Sequence, residues 1–293
     1  MTIRSITYHA QVVGPRLLVL GAIHGNEKCG TIAIERLMTE INAGQIEIKR
    51  GQVTFVPICN PRAYVEDKRF IERNLNRYLV PTPHPKYYEA QLGNILCPML
   101  EACDVLLDIH SYTIGGDAFV FLGATGTPED AFAASLGAGT LITGWQEAYA
   151  ATGRKENVAD ENESTGTTEY ARQHGAIAVL LECGQHKAPQ SAEVAYRGIT
   201  GALRHLKIID GSKTEAVAAP RLVTMTHVFY RDDEGQLSKN WGHLEPISKG
   251  QMLAEYKDGK AIRAPEDGFI ILPHANCPIG AEWFYFGTAS ATR

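Results

Sequence analysis

The stretch RLLVLGAIHGNEKCGTIAIERLMTEINAG, residues 16–44, passes directly from a strand pattern into a helix pattern. Its first part, 16–23, is almost continuously hydrophobic, as expected for a strand that helices cover on both faces. From residue 27 the apolar side chains recur at a helical period, and Gly44 is typical of a helix end. These apolar positions are Ile32, Ile34, Leu37, Met38 and Ile41. The unit predicts an α/β fold.

The same alternation continues to about residue 210. Strand patterns lie at 52–59, 104–110, 118–123 and 176–183, and further helix patterns lie at 87–103 and 191–209. Strands that alternate with amphipathic helices favour a three-layer α/β domain with a mostly parallel or mixed sheet. We expect this domain to span residues 1–212.

The character of the sequence changes after residue 210. GSKTEAVAAP, 211–220, is small and polar and predicts a linker. Short strand-like runs follow, separated by turn signals such as KDGK and PEDG. They predict a small all-β domain over 213–293, similar to the flattened β-sandwich of lipoyl and biotinyl carriers. Lys257 and Lys260 lack the M-K-M context of a modified lysine, so a wall or lid for a substrate pocket is favoured over a carrier.

Composition excludes several partners. The 293 residues carry a net charge of −5, and no run of lysine or arginine indicates nucleic-acid binding. No apolar run reaches the roughly 18 residues that span a bilayer. The first residues, MTIRSITYHAQVVG, lack the apolar core of a signal peptide, so we expect a cytoplasmic location. None of the six cysteines forms a C-x-x-C pair, which favours buried reduced thiols.

Polar side chains occur where the predicted strands end, which is where α/β folds place their chemistry. His24 and Glu27 follow the first strand, His110 ends the strand at 104–110, and Glu182 ends the strand at 176–183. Two histidines and one carboxylate are a zinc ligand set that leaves a fourth position open for water. Gly25 permits the turn that His24 and Glu27 need to reach one ion.

Asp108 lies two residues before His110, on the same strand face, where a carboxylate could hold the distal nitrogen of a ligand histidine. Each of these residues also has an ordinary interpretation. Glu27 suits the first turn of a helix, His110 could be a satisfied core histidine, and Glu182 could pair with an arginine. Their coincidence at several strand ends of one domain favours a site.

The segment NPRAYVEDKRFIERNLNRYL, 60–79, contains four arginines. Arg62 and Arg73 are interpreted as a solvated face. An asparagine–arginine pair such as Asn76 and Arg77 suits a ligand that bears a carboxylate, because guanidinium binds carboxylate through two parallel hydrogen bonds. The glycines of GAIHGNEKCG do not form G-x-G-x-x-G, so a dinucleotide site is rejected.

The order of these motifs resembles the succinylglutamate desuccinylase and aspartoacylase family, within the wider zinc-carboxypeptidase group. The resemblance covers 16 to about 186. It rests on GAIHGNE (21–27), NPRAY (60–64), RFIERNLNR (69–77), LDIHSY (107–112) and LLECG (180–184).

The resemblance implies one zinc ion per chain, bound by His24, Glu27 and His110. It implies that Arg69 polarises the scissile carbonyl and that Glu182 is the general base. Asp108 corresponds to the family's aspartate behind the ligand histidine.

The resemblance further implies that Asn76 and Arg77 hold the carboxylate of the substrate. Family members also use residues shortly before the catalytic glutamate, and here Arg172 is the candidate substrate-binding residue. A tyrosine from the C-terminal domain often contributes, and Tyr285 and Tyr256 are both candidates.

We therefore expect a zinc-dependent amidohydrolase that acts on linear amides and removes the acyl group from a small, carboxylate-bearing N-acyl amino acid. Two alternatives stay open, a zinc carboxypeptidase acting on short peptides and a zinc-binding protein without turnover. Neither a nucleic acid nor a membrane is expected as partner, and a homo-oligomer is left open.

Overall fold

Fourteen strands and seven helices are present in the computed structural model, which describes residues 2–153, 165–211 and 219–290. The strands are β1 (Ile6–His9), β2 (Arg16–Leu20), β3 (Gln52–Val56), β4 (Val105–Tyr112), β5 (Phe119–Phe121), β6 (Thr140–Thr143), β7 (Ile177–Gln185), β8 (Arg221–Tyr230), β9 (Gly235–Leu237), β10 (Glu245–Ile247), β11 (Met252–Tyr256), β12 (Ala261–Arg263), β13 (Gly268–Ile271) and β14 (Glu282–Ala289). The helices are α1 (Cys29–Asn42), α2 (Pro61–Val65), α3 (Tyr88–Ala102), α4 (Pro128–Ser135), α5 (Trp145–Ala151), α6 (Thr167–Gln173) and α7 (Pro189–His205).

A mixed sheet joins eleven of the described strands in the order β1-β3-β2-β4-β7-β5-β6-β8-β14-β13-β10. The central strands β3, β2, β4 and β7 are parallel, and β5 runs antiparallel to β7. The central strands β2 and β4 are buried almost throughout, as their continuously hydrophobic sequences predict. The predicted α/β class with a mixed sheet is confirmed.

Helices cover both faces of the central sheet and complete three layers. On one face α1, α4 and α7 contribute residues such as Leu37, Phe132 and Leu203 to a common core. On the other face α3 and α6 contribute Leu96 and Tyr170. Within the apolar series of α1, Ile32 is 54% exposed. It lies about 200° around the helix from the buried Ile34.

Strand register decides which side chains meet at the carboxyl edge of the sheet. Leu20, the last residue of β2, pairs with Asp108 of β4. Two residues further along β4, His110 pairs with Glu182 of β7. The chain leaving β2 therefore reaches His24 and Glu27 beside the ends of its two neighbours.

The C-terminal strands continue the large sheet. β8 pairs in parallel with β6, and β14, β13 and β10 follow it, while β12, β11 and β9 form a separate small antiparallel sheet. Most of the predicted linker at 211–220 lies outside the described residues. The division into domains at 212/213 stays a prediction.

Several short elements escape the sequence patterns. β1, β6 and α2 have four or five residues each, which is too short for a period to emerge. The predicted helix at 191–209 ends at His205, because Lys207 adopts a left-handed conformation with φ 56°. All six cysteines are free and buried, as expected. Within the described residues, no helix has the length and apolar character that crossing a bilayer requires.

Candidate active site

His24, Glu27 and His110 meet at the carboxyl edge of the sheet. His24 Nδ1 lies 2.8 Å from Glu27 Oε1, and His110 Nδ1 lies 2.9 Å from Glu27 Oε2. One nitrogen or oxygen of each residue falls within 4.8 Å of the others. All three side chains are buried, with at most 2% of the residue exposed. The structure thus brings together the three predicted metal ligands.

A side-chain oxygen lies within 3.0 Å of the distal ring nitrogen of each histidine. His110 Nε2 lies 3.0 Å from Asp108 Oδ2, as the alternation along β4 predicts. His24 Nε2 lies 2.9 Å from Asn74 Oδ1, which also accepts the backbone N–H of Asn76. Such partners fix the tautomer and turn Nδ1 of each ring towards a shared ion. Asn74 was not predicted in this role, since it lies 50 residues from His24.

Gly25 is required for a reason other than the one its sequence context indicates. Its φ is not positive, and the left-handed residue in this turn is Ala22, with φ 49°. A Cβ on Gly25 would lie 2.0 Å from the carbonyl carbon of Ala63 and 2.2 Å from the backbone nitrogen of Tyr64. Helix α2 therefore packs directly against the segment that connects His24 and Glu27.

The buried charges of the site shift one another's pKa values. Burial, and then the charge of Arg69, lower the pKa of His24 to about 4. Burial also disfavours a charge on His110, but the carboxylates of Asp108 and Glu27 hold its pKa well above the usual value. Although burial opposes it, the two imidazoles hold the pKa of Glu27 well below its usual value.

The donor set fits a divalent metal such as zinc. Two imidazole nitrogens and one carboxylate are the ligands of an open catalytic zinc site. The buried His24 Nδ1 lies 2.8 Å from Glu27 Oε1 without hydrogen-bond geometry, so its lone pair is available to an ion. The site also buries the carboxylates of Asp108 and Glu182 beside Glu27. A cation offsets this concentration of negative charge.

Glu182 lies beside the three candidate ligands. It is 8% exposed, and its Oε2 is buried without a hydrogen-bond partner among the described residues. Burial, and then the charge of Glu27, raise the pKa of Glu182 to about 8. An unpaired carboxyl group with this proton affinity can both accept and return a proton near neutral pH.

Arg69 reaches the site from the loop after α2. Its Nη1 donates to Glu27 Oε1 over 2.8 Å, and its side chain is 46% exposed. The loop is held by Glu89, a buried residue in the first turn of α3. Its carboxylate accepts the backbone N–H groups of Ile71, Glu72 and Arg73 at 2.7–3.1 Å. Glu89 was not predicted, because its sequence signal is that of an ordinary helix start.

Asn76 and Arg77 lie on the wall of the same cavity as the catalytic candidates. Asn76 Oδ1 accepts the backbone N–H of Thr167 over 2.8 Å, so its amide NH₂ is the group left to donate. Arg77 Nη1 donates to the backbone oxygen of Asn76 over 3.1 Å. The two side chains are therefore adjacent and both present N–H donors to the cavity.

Thr167 connects this pair to the metal centre. Its hydroxyl donates to Asp108 Oδ2 over 2.5 Å and lies 3.3 Å from Asn76 Oδ1. Asp108 in turn holds His110. Thr167 is fully buried at the start of α6. The sequence TGTTEY has no feature that distinguishes this threonine from its neighbours, so it was not predicted.

Arg172 lines the cavity, but its guanidinium is already engaged. Its Nε donates to Glu129 over 2.7 Å, its Nη2 donates to the backbone oxygen of Ala178 over 2.5 Å, and its Nη1 lies 3.4 Å from Glu169. Its proposed substrate role stays a prediction.

The two candidate tyrosines occupy different places. Tyr285 lines the cavity, and burial, and then the charge of Glu282, raise its pKa, so its hydroxyl stays protonated. Tyr256 lies in the core around the small sheet, where its hydroxyl donates to the backbone oxygen of Tyr230 over 3.0 Å. Tyr256 is not a lining residue.

The cavity has two lobes. The first lobe, about 330 Å³, contains His24, His110 and Asn76, and the second lobe, about 720 Å³, contains Ser111 and His186. The residues that line both lobes are Arg69, Arg77, Glu182, Leu272 and Tyr285. The candidate catalytic groups therefore stand where the lobes join, and residues from the C-terminal strands complete the wall.

Comparison with known proteins points to one family. The family model of the succinylglutamate desuccinylase/aspartoacylase catalytic domain matches residues 13–209. The N-alpha-acetyl-L-2,4-diaminobutyric acid deacetylase of Halomonas elongata is 26% identical over 262 residues, which cover 84% of this chain and 71% of that protein. The rat N-acyl-aromatic-L-amino acid amidohydrolase is 32% identical over 111 residues, 33% of this chain and 34% of that protein.

Solved structures share the fold. The succinylglutamate desuccinylase/aspartoacylase from Rhodobacter sphaeroides aligns with a TM-score of 0.79 at 18% identity, over 99% of this chain and 90% of that chain. The product-bound ectoine utilization protein EutE (DoeB) from Ruegeria pomeroyi aligns with a TM-score of 0.76 at 20% identity, over 97% and 88%.

Proposed function

This chain belongs to the succinylglutamate desuccinylase/aspartoacylase family, and from that premise we propose that it hydrolyses the amide bond of a small N-acyl amino acid with the help of zinc. The observation that carries the proposal is the convergence of His24, Glu27 and His110 beside the unpaired carboxyl group of Glu182. The names of two relatives, a deacetylase and an amidohydrolase of N-acyl amino acids, support the same reaction class.

The metal would be held by the three buried donors. When bound in such a site, zinc lowers the pKa of water from 15.7 to about 7 and polarises a carbonyl oxygen. Asp108 and Asn74 keep the two imidazoles oriented, so the donors need little rearrangement.

Glu182 would act as the general base and then as the general acid. It accepts a proton from the attacking water and later delivers a proton to the amide nitrogen as the C–N bond breaks. One water is consumed, a C–O bond replaces the C–N bond, and the products are a carboxylate and a free amino acid.

Arg69 would stabilise the oxyanion that develops on the scissile carbonyl oxygen. Loss of one such donor typically costs about 2.7–4 kcal/mol in the transition state. Asn76 and Arg77 would bind the carboxylate of the amino acid and orient the amide for attack. A substrate that lacks this carboxylate is expected to react poorly.

The second lobe supports one alternative. Its volume of about 720 Å³ exceeds what an acetyl group needs, so short peptides remain candidate substrates for a carboxypeptidase reaction. A zinc-binding protein without turnover is less favoured, because a complete set of candidate groups lines the cavity.

The experiment is an assay of amine release from N-acetyl, N-succinyl and N-formyl amino acids and from dipeptides, with zinc and with a chelator. We expect release from N-acyl amino acids, loss of release with the chelator, and recovery when zinc is restored. Glu182→Gln should abolish turnover while zinc binding stays stoichiometric, whereas Glu47→Gln, an exposed substitution, should be neutral. Cleavage of dipeptides alone would favour the peptidase, and full activity after zinc removal would contradict the proposal.

A further inference from the structure

We propose that the first lobe receives an uncharged and preferentially aromatic side chain of the N-acyl amino acid, and that Trp145 is the residue that determines this specificity. The inference rests on the proposed function, since it names the substrate class of the same site. Three observations carry it. An aromatic wall surrounds Trp145, the Trp145 ring lies close to the Arg77 guanidinium, and the positively charged residues that line the lobe already have partners or proposed roles.

The aromatic wall consists of side chains from three separate parts of the chain. The Trp145 ring lies with its centre 5.2 Å from that of Phe121, 5.2 Å from that of Tyr285 and 4.7 Å from that of Tyr149. Phe121, Trp145 and Tyr285 all line the first lobe, with Leu180 and Leu272. Ring centres at these distances form a rigid apolar surface on which a further ring can pack edge-on or offset.

The wall stands next to the proposed carboxylate anchor. The guanidinium carbon of Arg77 lies 5.1 Å from the Trp145 ring centre and 5.9 Å from the Tyr149 ring centre. The side chain of an amino acid leaves the carbon that bears its carboxylate. A substrate whose carboxylate pairs with Arg77 therefore has its side chain within reach of Trp145.

The charged groups of the lobe offer little to an anionic side chain. Among the described lining residues, Arg172 is committed to Glu129, Glu169 and a backbone oxygen, while Arg69 and Arg77 have proposed roles at the amide and the carboxylate. Glu147, an exposed residue that also lines this lobe, adds negative charge. A carboxylate placed here would lose hydration without gaining a partner, whereas an aromatic ring gains apolar contact.

The experiment compares kcat/KM for N-acetyl amino acids that share the acyl group and the carboxylate and differ only in side chain. We expect N-acetyl-L-phenylalanine to exceed N-acetyl-L-aspartate by at least about 10-fold. Trp145→Ala should lower the ratio of kcat/KM for the phenylalanine substrate to that for N-acetyl-L-alanine by about 10-fold or more. Tyr8→Ala, which removes an aromatic ring at the far edge of the sheet, should leave this ratio unchanged.

Two further measurements keep the inference falsifiable. If thermal melting shows that the Ala variant does not fold, Trp145→Leu replaces it. The Leu variant retains bulk but lacks the aromatic ring, so it should also lower this ratio. Binding of L-phenylalanine and L-aspartate, measured by calorimetry on the zinc-loaded protein, tests the lobe without turnover. If phenylalanine binds more tightly than aspartate but no amine is released from any substrate, the result contradicts the proposed function and leaves the inference about the first lobe standing. Preference for aspartate, or an unchanged ratio in both Trp145 variants, would overturn the inference.

Discussion

Substitution of Thr167 by valine tests whether the carboxylate anchor and the metal centre form one hydrogen-bonded unit. The substitution keeps the shape of the side chain and removes only the hydroxyl. It deletes the hydrogen bond to Asp108 Oδ2 at 2.5 Å and the contact with Asn76 Oδ1 at 3.3 Å. The backbone N–H of residue 167 still donates to Asn76, so α6 keeps its position.

The magnitude follows from the burial of Asp108. This carboxylate is fully buried, and its Oδ1 already lacks a hydrogen-bond partner among the described residues, so nothing replaces the lost donor. A hydrogen bond to a charged group contributes about 1.5–3 kcal/mol. For a chain of this length that corresponds to a melting temperature lower by about 2–5 °C. Asp108, the partner behind His110, is retained but loses its own donor, so we expect metal affinity to fall by about 10-fold, the lower end of the range for loss of such a partner.

Two measurements on the purified variant check these values. Thermal unfolding of the metal-free protein reports the stability term, and competition with a chromophoric chelator reports zinc affinity. Thr167→Ser is the control, because it keeps the hydroxyl and loses one methyl group, worth about 0.8 kcal/mol. If the valine variant binds zinc as tightly as the parent and melts at the same temperature, the Thr167–Asp108–His110 connection has no energetic role.

Three other substitutions test separate features of the protein. Arg77→Ala should raise KM by about 30-fold for substrates with a free carboxylate, because about 2 kcal/mol of charge-assisted hydrogen bonding is lost. The KM of the corresponding carboxamide substrates should not change. An unchanged KM for the carboxylate substrates would show that the anion binds elsewhere. Burial, and then the charge of Arg221, lower the pKa of His243 to about 3. Between pH 6.5 and 3 the unfolded chain therefore binds a proton that the native protein does not bind. The free energy of unfolding consequently falls as the pH falls. Between pH 6 and pH 4, the free energy of unfolding measured by urea titration should therefore fall by about 2–3 kcal/mol less in His243→Asn than in the parent. The exposed His84→Asn is the control. If the parent and His243→Asn lose the same free energy of unfolding, the lowered pKa of His243 is refuted. Gly25→Ala should lower the free energy of unfolding by about 3 kcal/mol and weaken zinc binding, because the new Cβ would meet the backbone of α2. Gly139→Ala has open space around its Cβ and should be neutral. A stable Gly25→Ala variant with normal zinc affinity would show that α2 can move away at little cost.

The features that the sequence predicts best depend on rules that act over short distances. Residues 17–23 are apolar and lead into a helical period, so the first strand and helix could be predicted from local pattern. The meeting of His24, Glu27 and His110 could also be anticipated, because the carboxyl ends of neighbouring parallel strands lie at one edge of the sheet. The family resemblance adds the expected roles and is confirmed by the match over 13–209.

The features that escaped prediction depend on contacts between distant parts of the chain. Thr167 and Asn76 are 91 residues apart, and nothing in either local sequence indicates that they touch. Asn74 and Glu89 were missed for the same reason. The engagement of Arg172 with Glu129 spans 43 residues and becomes visible only once α4 and α6 both pack against β7.

The C-terminal strands illustrate a further limit. Their turn signals and short apolar runs indicate strands, but such patterns do not specify the edge at which a strand pairs. The pairing of β8 with β6 makes one sheet out of regions with different sequence character.

This continuity has a consequence for the order in which a newly made chain can become functional. The candidate metal-binding side chains have all left the ribosome once residue 110 has emerged, yet Leu272 and Tyr285, which line both lobes, are translated more than 150 residues later. At about 5–20 residues per second this delay lasts roughly 8–35 s. A nascent chain arrested before β8 leaves the outer edge of β6 unpaired, and one arrested between β8 and β14 leaves the outer edge of β8 unpaired and the cavity incomplete.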